Sequence, residues 1–202
     1  MKINKILVVL LLPLIADTII SCCNCEETVV KYYSNKSIEV LNLDNSGNKA
    51  VVATNDTARK EAFGIRVMLK KEKTSFLNPP KTLFLQAAYA YDCFCPASYE
   101  LLPRDSITAI QIFTLNDFDT NHPANSEVSV YFKVFEYNNF TPISEYVKNY
   151  KTLLFDDAEL GQSIDLLLMT PPQIPGSYKF KVRFNLSDGR IFEQESTAIE
   201  LI

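Results

Sequence analysis

Hydrophobic and polar positions alternate with a period of two along most of this chain. Near the C-terminus Tyr178, Phe180, Val182, Phe184 and Leu186 alternate with Lys179, Lys181, Arg183 and Asn185. Successive side chains of a strand point to opposite faces, so one face is predicted on a core and the other in water. Ser187-Asp188-Gly189 is turn chemistry, and Arg190 to Ser196 predicts the returning arm of a hairpin. Phe63, Ile65, Val67 and Leu69 mark a second one-sided strand, opposite Gly64, Arg66 and Lys70. Val128, Val130, Phe132 and Val134 mark a third. Residues 37–43 predict a strand closed by Asp44-Asn45-Ser46-Gly47, with 26–36 as an extended leader. Residues 50–53 and 163–169 predict further strands, and Ile199, Leu201 and Ile202 an edge strand. Residues 107–115 are dense enough in Ile and Phe to be covered on both faces.

The period changes in three places. Thr141-Pro142-Ile143 followed by Ser144-Glu145 starts a helix over 143–151, with Tyr146, Val147 and Tyr150 one turn apart. This helix is expected to cap an open end of the sheets. Residues 116–126 read as a polar loop. Residues 82–91, after Pro79-Pro80, fit either a short helix, from Leu and Ala, or a strand, from the aromatic spacing. About seven or eight short strands with Pro, Gly and Asp breaks predict an all-β chain, most simply a β-sandwich with a short helical elaboration.

Composition narrows the partners. The chain has 13 Phe, 10 Tyr and no Trp, which supports an aromatic core. Its formal net charge is −4, so a phosphate backbone gains nothing from it and nucleic acid is excluded as an expected partner. Five glycines leave no glycine-rich phosphate loop, and no cofactor is expected.

The N-terminus changes the picture further. Lys2 and Lys5 precede an apolar run from Ile6 to Ala16, then Ile19-Ile20-Ser21-Cys22, the pattern of a secretory signal over 1–21. The run falls short of the roughly 20 residues that cross a bilayer. Cys22 resembles the lipobox cysteine of bacterial lipoproteins, which implies lipid on that sulfur and a place in the cell envelope. The expected organisation is signal 1–21, lipidated tether 22–36 and β-sandwich 37–202. With Cys22 lipidated, Cys23, Cys25, Cys93 and Cys95 remain. A bond inside either Cys-x-Cys pair would close a very tight ring, so cross-pairing of the two segments is the expected disulfide. A four-thiolate metal site needs wider spacing within each pair, and partly free thiols are the third possibility.

Ile107-Thr108-Ala109-Ile110-Gln111-Ile112, then Asn116-Asp117-Phe118-Asp119-Thr120-Asn121-His122-Pro123-Ala124, resembles a family of uncharacterised lipoproteins of Bacteroides-like bacteria. Residues 180–190 are similar to its C-terminal hairpin. The resemblance spans nearly the whole chain after the signal and rests on no single specific motif. It implies an immunoglobulin-like domain, an irregular or short helical 82–91, outer-membrane attachment on the periplasmic face or cell surface, and no assigned activity. Asp56-Thr57-Ala58 and Asp105-Ser106-Ile107 resemble the O-glycosylation sites of such bacteria, at Thr57 and Ser106.

Catalytic signals are thin. His122 is the only histidine; Ser126 and Asp119 lie near it, but nothing orders a nucleophile against a base. Asp117, Asp119 and Asn121 alternate like the first ligands of a calcium loop, a pattern broken by His122 and Val128 at its glycine and glutamate positions. The plain reading is a loop whose short side chains bond its own backbone. Asp156, Asp157, Glu159 and Asp165 are the acids a glycan hydrolase would need in pairs. Tyr131, Tyr137, Phe140, Tyr146 and Tyr150 could build an aromatic surface, with Tyr137, Phe140, Tyr146 and Tyr150 as the expected ligand contacts. The sequence therefore predicts a lipid-anchored, non-enzymatic envelope component that contacts protein or glycan, with an envelope hydrolase as the alternative.

Overall fold

The computed structural model describes residues 29–73, 99–149 and 162–202. These lie almost entirely in one compact unit formed by residues 32–74 and 101–202. The strands are β1 (Val29–Asp44), β2 (Val51–Val52), β3 (Thr57–Ala58), β4 (Phe63–Lys73), β5 (Tyr99–Pro103), β6 (Ile107–Thr114) and β7 (Phe132–Glu136), followed by β8 (Asn139–Pro142), β9 (Gln162–Leu168), β10 (Gly176–Tyr178), β11 (Phe180–Leu186), β12 (Ile191–Glu195) and β13 (Ile199–Leu201). Helix α1 is Ile143–Asn149.

Among the described residues the fold is mostly β, with this one short α-helix and several sheets, none closed into a typical sandwich. A seven-stranded sheet runs β2-β1-β4-β9-β7-β8, with β5 paired to β1 off that path. Two three-stranded sheets run β12-β11-β6 and β10-β13-β3, the last including a parallel β13–β3 pair. One core draws Val40, Ile65, Val67, Ile164, Leu166 and Val134 from the large sheet, Ile110, Ile112, Val182 and Phe184 from the second, and Tyr178, Ile199 and Leu201 from the third. Phe180 stacks on Phe63, ring centres 5.3 Å apart, and meets Phe132 edge-on at 5.7 Å. The alternation read from sequence is what builds this core: each strand gives it every second side chain.

Three local differences have physical causes. The leader is part of β1, which pairs with β4 back to Tyr33 through a register shift between Asn35 and Ser37. Strand β6 is not covered on both faces: Ile110, Ile112 and Thr114 are buried, while Ala109, Gln111 and Phe113 are half-buried on the outer side. Phe113 lies there between the Lys181 and Arg183 cations, 5.3 and 4.9 Å from its ring centre. The strand predicted from Val128 begins only at Phe132, because Ser129–Tyr131 forms a 3-10 turn. Ser129 Oγ accepts the Ile112 N–H at 2.8 Å, which turns the chain off β6 and leaves Val130 79% exposed.

The expected disulfide is corrected. The structure forms no disulfide among its described residues, and Cys23, Cys25, Cys93 and Cys95 lie outside them. The described chain is joined instead by its core and by a buried polar clamp. The Asp105 side chain is 1% exposed; its carboxylate accepts the Asn35 N–H at 3.1 Å and Nδ2–H at 2.7 Å and pairs with Arg190. Arg190 also donates to the Asn35 carbonyl at 2.7 Å, tying the irregular part of β1 to the β11–β12 turn.

Candidate functional site

The expected aromatic contacts divide. Glu136 faces Asn139 across the β7–β8 hairpin, and the two residues between them, Tyr137 and Asn138, both have left-handed backbone, φ +50° and +61°. A two-residue hairpin turn demands that conformation, which tyrosine adopts at a cost. Tyr137 is 80% exposed at the tip. Phe140 is partly exposed and leans on Phe135, ring centres 5.0 Å apart. Tyr146 packs against the core, and Tyr150 lies outside the described residues.

Beside this hairpin is a groove of about 620 Å³, a size typical of ligand sites. Its floor is β6 at residues 108–111, one wall is Pro142, Ile143, Ser144 and Val147 from β8 and α1, and Glu127, Ser129 and Val130 close one end. Helix α1 starts where Pro142 ends β8, buries Ile143 and turns Val147 toward the core, so the strand end fixes this wall. Glu127 receives Gln111 Nε2 at 3.1 Å and the Ser129 hydroxyl at 2.8 Å, which orients the polar end.

The groove floor has an open edge. Ile112 gives its N–H to Ser129 Oγ and its carbonyl to the Val128 N–H, both on the side away from β11. Strand groups alternate sides, so Ile110, two residues earlier, also points its N–H and C=O away from β11. There the chain from Ser129 has already turned away, and no backbone partner for Ile110 stands among the described residues. Thr108 has no Cα partner either: Ala109 faces Asn185 and Ile107 faces Leu186, a bulge that ends regular pairing.

The loop predicted as a calcium candidate is spent on itself. Asp119 Oδ1 accepts the N–H groups of Asn121 and His122 at 2.8 and 2.9 Å and the His122 Nδ1–H at 2.8 Å; Asp117 Oδ1 accepts the Ala124 N–H at 2.9 Å. Among the described residues no group of three or more His, Cys, Asp or Glu is gathered as a metal would need. The His122 bond, reinforced by the two backbone donors, holds the Asp119 carboxyl below the usual carboxylate range. Its stabilisation is therefore complete above about pH 3.9, the ordinary aspartate value, and is lost as pH falls below it. Amide protection over residues 119–122 is expected to stay level from pH 7 to 5, drop below about 4, and show no such step in Asp119→Asn. A loss beginning near pH 6 would contradict this.

The other expected positions are placed as follows. Asp165 takes both Arg66 donors, Nε and Nη2, at 2.6 and 2.7 Å. Asp156, Asp157 and Glu159 lie outside the described residues, as do Cys22 and the 82–91 segment. Thr57 and Ser106 are exposed, although the Asp105 preceding Ser106 is locked in the clamp. Lys71 is half-buried over the Tyr33 ring, 4.5 Å from its centre, and burial lowers its pKa. The groove itself escaped sequence reading. Ser129 occupies a polar position of the Val128–Val134 alternation, so the pattern gives no sign that the chain leaves the strand there.

Among the described residues no helix is long and apolar enough to cross a membrane. A family model described as Domain of unknown function (DUF5034) matches residues 35–197, a span containing the groove and the Asn35–Asp105–Arg190 clamp. No curated protein and no solved structure matches the chain.

Proposed function

The chain belongs to the DUF5034 family, a domain of unknown function, and we propose that it is a non-enzymatic, lipid-anchored envelope protein that holds a protein partner in the groove beside Ile110. The observation that carries this reading is the groove itself: Val130, Pro142 and Val147 offer apolar contact above strand groups that have no backbone partner among the described residues. A small apolar site with a few directed polar groups is the usual form of a binding site. Attachment through Cys22, on an outer-membrane lipoprotein facing the periplasm or the exterior, rests on the signal-like N-terminus and the lipobox resemblance. Such tethering would concentrate the groove at a surface.

The finer fold reading, an immunoglobulin-like sandwich, belongs to the same proposal. It is supported by the single core shared between sheets and by Tyr178, whose hydroxyl donates to the Ile174 carbonyl at 2.7 Å. Immunoglobulin-like domains place a comparable tyrosine corner before a core strand.

A photo-crosslinking residue at Val130 in intact cells tests the function. A discrete adduct with another polypeptide is expected, lost in Val147→Asp and absent from a probe at Ile191, an exposed position on β12 outside the groove lining. No adduct from Val130, or equal adducts from Ile191, would overturn the reading.

A further inference from the structure

Resting on that reading of the groove, we propose that its occupant is an extended polypeptide segment that pairs with the open half of β6 as a fourth strand of the β12-β11-β6 sheet. The argument begins with two groups on one residue. Ile110 presents an N–H and a C=O to the groove with no backbone partner among the described residues, and a nearly buried backbone donor and acceptor left so is costly. A residue of an extended chain supplies the matching acceptor and donor at strand spacing. A glycan offers hydroxyls, but not this pair fixed on one rigid peptide unit.

The same chain shows what such pairing looks like one step along β6. Val128 gives its N–H to the Ile112 carbonyl, and the Asn125 N–H and Ser126 carbonyl serve Thr114. Residues 125–129 therefore already act as a partner for the far half of β6. The Ser129–Tyr131 turn then leaves, and the ligand would continue the row that this segment abandons.

Walls and bulge define the ligand. Helix α1 and Pro142 stand along the open side, so a single segment can enter while the flat edge of a second copy's sheet cannot. The Thr108 bulge stops regular pairing, which limits the match to Ile110 and its immediate neighbours. The ligand residue opposite Ile110 must retain its N–H and so is not proline. Its neighbours are best apolar where they meet Val130 and Val147, and small or polar where they pass Gln111.

The test selects binders from a random heptapeptide phage library on the full-length protein and measures the selected peptides on wild type and on Ile110→Pro. Proline removes the groove-facing N–H and spares the ladder to β11, as edge positions allow. Binding is expected to weaken about five- to tenfold, the worth of one net hydrogen bond. Amide exchange in unsubstituted protein covers the case in which the variant fails to fold: saturating peptide should slow Ile110 at least about tenfold and leave Ala109 and Gln111 unchanged. Equal affinity for both proteins, unaltered exchange at Ile110, or a library yielding no groove binder each overturns strand addition. A Val130 adduct in cells with unaltered Ile110 exchange removes strand addition and keeps groove binding. Peptides that protect Ile110 without any cellular adduct support strand addition and remove the envelope partner.

Discussion

Replacing Phe180 with alanine is expected to cost about 4 kcal/mol of folding stability. Phe180 is fully buried where the sheets meet, stacked on Phe63, edge-on to Phe132 and 6.4 Å from the Tyr178 ring. Deleting the ring removes apolar contact with two sheets at once and leaves a cavity whose rigid neighbours close only partly. The backbone is not the issue: Phe180 exchanges N–H and C=O bonds with Ser196, which alanine keeps. A domain typically has only 5–15 kcal/mol to lose, so the urea midpoint should fall steeply with little change in slope. Phe113→Ala, on the outer face of the same sheet, should cost far less. A loss under about 1 kcal/mol at Phe180 would mean that the sheets are not joined through this ring.

Arg190→Ala is expected to cost about 3 kcal/mol, although Arg190 is itself partly exposed. The effect arises from what stays behind. The Asp105 side chain stays buried without the guanidinium, its remaining donors among the described residues coming from Asn35, and the Asn35 carbonyl loses the Arg190 donor. Arg190→Lys should rescue little, because one ammonium cannot serve Asp105, Asp188 and the Asn35 carbonyl from a planar fork. The double variant Asp105→Leu with Arg190→Met should be less damaging than Arg190→Ala alone, since it removes the charge together with its partner. Unfolding curves of the single and double variants decide this. Additive losses would show that the clamp is not a unit.

Much of the fold was legible from alternation alone. The β11–β12 hairpin follows from Phe180–Leu186 and from Gly189, whose φ of +86° suits the turn after Asp188, whereas Tyr178, read in the same strand, pairs in β10 with β13. The α1 helix emerged where Tyr146 and Val147 break the strand rhythm. What alternation misses is where strands lack partners. Val130 keeps the period of a buried strand position but is turned outward by a hydroxyl–backbone bond from Ser129, a contact that no periodicity encodes. The Tyr137-Asn138 turn was equally hidden, since neither residue is the glycine that such a turn favours. The clamp was invisible because Asn35, Asp105 and Arg190 are distant in sequence and meet only after β1, β6 and β11 are in place. The acidic loop read correctly as turn chemistry because Asx bonding is local and needs no tertiary partner.

The central structural claim is that no described segment pairs with Ile110 on the side away from β11, between two ladder-bonded neighbours. Residue-resolved amide hydrogen exchange on the unliganded chain tests it most directly. The account predicts fast exchange at Ile110, flanked by slow exchange at Ala109 and Gln111 and followed by protection at Ile112, whose N–H is held by Ser129. Uniform protection from Ala109 through Ile112 would contradict it, because the groove floor would then have no open strand to offer.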